Sequence, residues 1–172
     1  MKNTTWTLDN AHSEIAFKVK HMMISTVTGH FEDFEATAKT NGDNFEGAHF
    51  EFTAKTESIN TKNKDRDTHL RSDDFFNSEE FPEMKFVSKS FKNDKIVGDL
   101  TIRDVTKEVT LDAELNGIAV DPYGQTKAGF EIRGEINRKD FNLTWNAVTE
   151  AGSIVVADKV KLVVDVQFTK QA

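Results

Sequence analysis

The chain has 172 residues and a mass of 19.4 kDa, suits one domain, and contains no Cys, which excludes disulfides, thiolate metal sites and Cys nucleophiles. Lys plus Arg number 22 against 29 Asp plus Glu, a net charge of −7, which argues against a nucleic-acid partner held through its phosphates. No apolar run is long enough to insert stably in a membrane, and Met1–Glu14 lacks the apolar stretch of a signal peptide, so a cytoplasmic protein is expected.

The dominant period is two. A first short strand is expected over Thr5 to Leu8, and from Glu14 onward Ile15, Phe17 and Val19 face one way while Lys18 and Lys20 face the other. Further strands are placed at Gly29 to Lys39 and Phe45 to Thr56. Ser58 to Phe76 then breaks the pattern: it is dense in charge, and only Leu70 is apolar between Asn60 and Asp74. Thr61 or Asn63 could cap a short helix running toward Arg71, within a helical segment near residues 62–76.

Alternation resumes at Met84 to Phe91. It continues with Ile96, Gly98, Leu100 and Ile102, then Val109, Leu111, Ala113 and Leu115, then Phe130, Ile132, Gly134 and Ile136. A second irregular stretch, Arg138 to Asp158, carries Phe141, Leu143, Trp145 and Val148. It is too apolar for a free loop and is expected to fold over an open end of the structure. The last strand shows Val160, Leu162, Val164, Val166 and Phe168 on one face.

Turn signals stand at Asn41-Gly42-Asp43, Lys92-Asn93-Asp94, Asn116-Gly117 and Asp121-Pro122-Tyr123-Gly124. Eight or nine long strands with one wet face must hide the other, so an all-β closed antiparallel barrel or a sandwich is expected. Gly98 and Gly134 on apolar faces suit the bends of a barrel wall and favour the barrel. Residues 1–172 then form a single domain. Its 14 Phe, against one Tyr and two Trp, either fill a core or line a cavity.

Candidate chemistry is sparse. His12, His21 and His30 do not have metal-ligand spacing, no pair matches a metalloprotease motif, and no metal is expected. Asp9, His12 and Ser13 are the residue types of a hydrolase triad. Neighbours on a strand point apart, however, and a local turn is the better reading. Arg66 and His69, three residues apart, would share a helix face. They belong either to an exposed ion-paired helix or to a polar rim meeting an anionic or carbonyl head group. No catalytic residue and no cofactor are assigned.

The sequence resembles the YceI-like family. The resemblance is carried by Trp6, Asp9, His12-Ser13, Ile15, Phe17, His21 and Gly29-x-Phe31. It continues through Ser58-Ile59-x-Thr61, Arg66-Asp67-x-His69-Leu70, Phe75-Phe76, Phe81-Pro82 and Phe86-x-Ser88. Gly98-Asp99-Leu100-Thr101-Ile102, Val105-Thr106-Lys107 and Asn137-Arg138-x-Asp140-Phe141 complete it. Asp104 and Asn142 stand where the family usually has Gly; both residue types tolerate left-handed turns. The resemblance implies an extended lipocalin-like barrel, without enzymatic activity, that binds a polyisoprenoid or isoprenoid quinone. The absent leader is similar to the family's cytoplasmic branch.

A dry void of ~500 Å³ would cost about 12 kcal/mol, comparable to the stability of a whole domain. A hollow apolar barrel is therefore expected to be occupied, hydrated or collapsed. Inward positions chosen by alternation as tail contacts are Phe17, Val19, Phe50, Phe52, Leu100, Ile102, Leu111, Phe130 and Ile132, with Arg66 and His69 at the mouth. The rival readings are a self-filled barrel acting as a stress-related interaction protein and, less favoured, a small hydrolase. An outer barrel face could hold a second copy as a homodimer.

Overall fold

A computed structural model describes residues 3–146 and 155–172. Its strands are β1 (Asn3–Leu8), β2 (Glu14–His21), β3 (Ser25–Phe31), β4 (Phe34–Asn41), β5 (Asn44–Lys55), β6 (Ile59–Asn60), β7 (Glu83–Lys92), β8 (Lys95–Ile102), β9 (Val105–Val120), β10 (Thr126–Asn137) and β11 (Val156–Lys170). Among the described residues there is one α-helix, α1 (Lys64–Arg71). The ring β1-β4-β5-β7-β8-β9-β10-β11 closes where β11 pairs with β1, giving an eight-stranded antiparallel barrel. Closure leaves no free edge along the ring.

The remaining strands continue bent staves of the same barrel. β2 pairs with the first part of β11, Phe17 opposite Leu162, and β1 with its last part, Leu8 opposite Phe168. They are two halves of one stave, interrupted at Asp9 to Ser13. β3 and β4 form the next; the single strand expected over Gly29 to Lys39 is split in two by a break at Glu32-Asp33. There Glu32 N–H donates to the Ser58 carbonyl and the Asp33 carbonyl accepts from Lys55 N–H. β5 and β6 form the third. The connectivity is therefore a meander in which each stave pairs with the next.

Two turn expectations are corrected. Asn116-Gly117 is not a turn, because β9 runs through it to Val120. It is a bulge: Gly129 faces Gly117 while Phe130 faces Leu115, leaving Asn116 unpaired in register. The chain turns instead at Asp121, whose carboxylate accepts from Tyr123 and Gln125 N–H. In the β8–β9 turn, the left-handed residue is Arg103 (φ 55°) and not Asp104. Asn142 does adopt that conformation (φ 60°).

The helix starts where expected. Asn63 is its cap and accepts from Arg66 N–H at 2.9 Å. Asp67 is buried and accepts from both Thr61 N–H (2.8 Å) and Thr61 Oγ1 (2.5 Å), while Arg66 Nε donates to that same hydroxyl at 2.7 Å. Thr61, Arg66 and Asp67 thus form a clasp that fastens α1 to the end of β6.

Candidate functional site

Apolar alternation gives the barrel a greasy interior, and side-chain size divides it in two. At the end carrying the termini and the turns at Gly42 and Asn93, large rings meet. Phe130 is within 5.1–6.1 Å, centroid to centroid, of Phe45, Phe50, Phe91 and Phe168. Trp6 meets Phe45 at a tilt, 4.9 Å between ring centres, and its indole N–H donates to Thr40 Oγ1 at 2.8 Å. These rings fill that end.

Toward the other end the wall is built mainly of smaller aliphatic residues, among them Ile15, Val19, Val109, Val160, Leu162 and Val164. A cavity remains. Its volume is about 210 Å³. Apart from Glu51 and Arg138, every residue lining it is apolar.

Close approach to glycine keeps this half open. A Cβ on Gly29 would lie 2.3 Å from the ring of Phe17, its cross-strand partner. A Cβ on Gly98 would meet the Phe86 ring and the Val87 carbonyl, each at 2.6 Å. Without those Cβ atoms the rings of Phe17 and Phe86 can lie flat along the wall.

Two connections roof the cavity. From the α1 side come Leu70, Phe75 and Phe76; from the β10–β11 side comes Leu143. Trp145 meets His69 edge-on at 4.6 Å and Phe75 at 5.5 Å, so the two connections touch. Phe141 and Leu143 are buried, as a stretch folding over an open end requires; Val148 lies outside the described residues.

The second connection is held by Arg138, which is 3% exposed. Its Nε donates to the Ala157 carbonyl, one terminal nitrogen to those of Leu143 and Trp145, and the other to that of Val156. Burial lowers its pKa, opposed by Asp158, but a guanidinium stays charged. With these donors occupied, Arg138 is a tie and not a head-group ligand. Arg103 plays a matching part on the other connection, donating to the carbonyls of Asp73 and Phe75 and to the Asp73 carboxylate.

Of the residues chosen from sequence, Phe17, Val19, Phe50, Phe52, Leu100, Ile102, Leu111 and Ile132 stand on the cavity wall. Phe130 does not; it lies in the ring cluster. Arg66 belongs to the Thr61 clasp. His69 sits in the roof, its Nε2 2.8 Å from Asp74 Oδ2, and is not on the wall. Arg138 and Arg103 were missed. A signal for Arg138 existed: Phe130, Ile132, Gly134, Ile136 and Arg138 continue one inward phase. Arg103 had none, because its partners are about thirty residues away.

The triad-like residues fasten a turn. Asp9 accepts from Ala11 N–H and contacts His12 Nδ1 at 2.8 Å, while Ser13 Oγ donates to the Asp9 carbonyl and accepts from Gln167 N–H. Lys127 Nζ lies 2.8 Å from Asp9 and is the main cause holding its carboxyl below the usual range. Among the described residues no cluster of three or more His, Asp or Glu could hold a metal ion, and no helix is long and apolar enough to cross a membrane.

The YceI-like domain model matches residues 6–168. A UPF0312 protein of Staphylococcus aureus strain MSSA476 is 38% identical over 167 residues, covering 96% of this chain and 98% of its own. Among solved structures, the Campylobacter jejuni YCEI protein is 34% identical with a TM-score of 0.75, over 89% of this chain and 90% of that one. Burkholderia cenocepacia BcnA shares the fold at 21% identity (TM-score 0.79; 93% and 98% covered). So does a polyisoprenoid binding domain from Saccharophagus degradans at 14% (TM-score 0.66; 96% and 98% covered). The agreement spans the barrel from its first stave to its last, and the chain belongs to the YceI-like family.

Proposed function

We propose that this chain binds an isoprenoid lipid or isoprenoid quinone, without catalysing a reaction on it, as a carrier or store. The observation that carries the reading is the apolar cavity: a hollow, almost uncharged interior beneath a roof of Leu70, Phe75, Phe76 and Leu143. Among the described residues the wall offers no convergent set of polar groups to activate water or a nucleophile, which favours binding over hydrolysis. It fits a slim, branched apolar chain, each buried CH₂ contributing about 0.8 kcal/mol. The polyisoprenoid binding domain from Saccharophagus degradans supports the ligand class by its fold alone.

A self-filled barrel describes only the ring-packed end. The test is organic extraction and mass spectrometry of natively purified protein. A stoichiometric isoprenoid is expected in the wild type and a strong loss in a folded Leu111→Asp variant. An empty extract from well-folded wild type sinks the reading. Full lipid retention by folded Leu111→Asp sinks the wall assignment.

A further inference from the structure

The rim of the cavity carries a feature that binding inside the barrel does not use. Between β2 and β3 the chain turns through Met22, Met23 and Ile24, whose exposures are 37%, 59% and 82%. Ile24 N–H closes the turn on the His21 carbonyl, and Met22 N–H donates to the Val155 carbonyl at 2.8 Å, so the tip is fastened to the start of β11. Val19 and Val156, just inside this tip, belong to the cavity wall. The tip therefore stands next to the cavity wall, with His21, the cross-strand partner of Val156, between Met22 and Val19 in the inward phase.

The residue choice runs against ordinary turn chemistry. Met22 (φ 52°) and Met23 (φ 59°) both occupy the left-handed region, where Asn and Gly are favoured and a bulky side chain is strained. Three successive apolar side chains at a solvent-facing tip are not needed to close a hairpin.

Charge beside the tip supplies an independent observation. In a chain of net charge −7, β2 turns Lys18 and Lys20 outward, and Lys161 of β11 lies directly opposite Lys18. Like charges facing each other across a ladder oppose pairing. The other cross-strand neighbour of Lys161, Glu135, is engaged by Lys159 at 3.5 Å. At the usual rise per residue, Lys20 lies about 7 Å and Lys18 about 13 Å along the strand from Met22. That spacing sets cations at head-group level when the tip enters the acyl boundary.

We propose that the Met22–Ile24 tip, flanked by Lys18, Lys20 and Lys161, docks the cavity mouth reversibly on an anionic lipid bilayer. A lipid tail could then pass between bilayer and barrel with little exposure to water. The use of the contact rests on the lipid-binding reading; the contact itself is tested separately.

The experiment is vesicle flotation with the full chain, using phosphatidylcholine alone and phosphatidylcholine mixed with phosphatidylglycerol, at low and high salt. Wild type is expected to float with the mixed vesicles and to release as salt rises. Lys18→Glu with Lys20→Glu should weaken flotation about tenfold or more. Met22→Asn with Met23→Gly should weaken it as well while raising the thermal midpoint, because the strain is relieved. A structural role for the methionines would not move binding and stability in opposite directions. Failure of wild type to float, flotation of either variant equal to that of wild type, or equal binding of wild type to neutral vesicles overturns the proposal. Lipid content is measured on the same preparations: an empty barrel that docks defeats the lipid-carrying reading alone, and a loaded barrel that does not dock defeats the docking alone.

Discussion

The ring-packed end and the roofed end of the barrel share one wall, one alternation and many of the same strands. β5 contributes Phe45 to the first and Phe52 to the second; β11 contributes Phe168 and Val160. Side-chain volume separates them. Five phenylalanines and Trp6 converge at one end, leaving Phe130 1% exposed. Toward the other end, branched aliphatics and glycines leave room. The first end is closed by dispersion among rings. The second is closed by two connections that polar ties hold in place, through Arg138, Arg103 and the Thr61 clasp. A filled end should govern global stability, and a tied roof should govern access.

That contrast can be broken most forcefully at the rings. Phe130→Ala should cost about 3–5 kcal/mol, read from the urea midpoint, because the surrounding rings cannot collapse into the gap. The milder Phe130→Leu should fold and keep its extractable lipid. Lipid loss there, with wall substitutions harmless, would reverse the roles assigned to the two ends.

Removing the roof tie comes next. Arg138→Met removes the guanidinium donors from the buried carbonyls of Leu143 and Ala157 and from the part-buried carbonyl of Trp145, while Val156 keeps its bond from the Asn146 amide, and should cost about 3 kcal/mol. Hydrogen exchange should rise over residues 139–146 before it rises at Phe130. Uniform exchange along the chain would show that roof and barrel open as one unit.

Gly98→Ala tests the wall between them. The new Cβ would meet the Val87 carbonyl oxygen, and backbone cannot step aside as a side chain can. A loss of about 1–3 kcal/mol in chemical denaturation is expected. A neutral result would mean the β7–β8 ladder shifts freely.

The smallest effect belongs to the strap between β1 and β10. The Asp9 carboxyl is lowered chiefly by its hydrogen bond to Lys127. Its contribution is therefore complete above the ordinary carboxylate value and is lost as pH falls through the lower folded pKa. Asp9→Asn should cost about 1 kcal/mol at neutral pH and flatten the acid limb of a stability–pH curve below about pH 4. An unchanged acid limb would remove the pair from the account.

Much of this architecture is local and was readable in advance. Period two fixed the inward face of Ile132 and Leu162, and Asn63 announced the helix it caps. The same locality misled at Asn116-Gly117, where a turn signal became a bulge because β10 offers partners on both sides of it. Alternation also identified Phe130 as inward but could not distinguish a cavity wall from a packed cluster. That depends on which rings converge from β5, β7, β10 and β11.

By itself the sequence determined an all-β chain, the phase of the clearly alternating strands and the helix start, since these follow from neighbours a few residues apart. Only the tertiary structure decided that three staves bend, which end is filled, and that Arg138 and Arg103 tie down the roof. Those outcomes depend on ring closure and on volumes brought together from distant strands, and no local period encodes the distance between two side chains across a barrel.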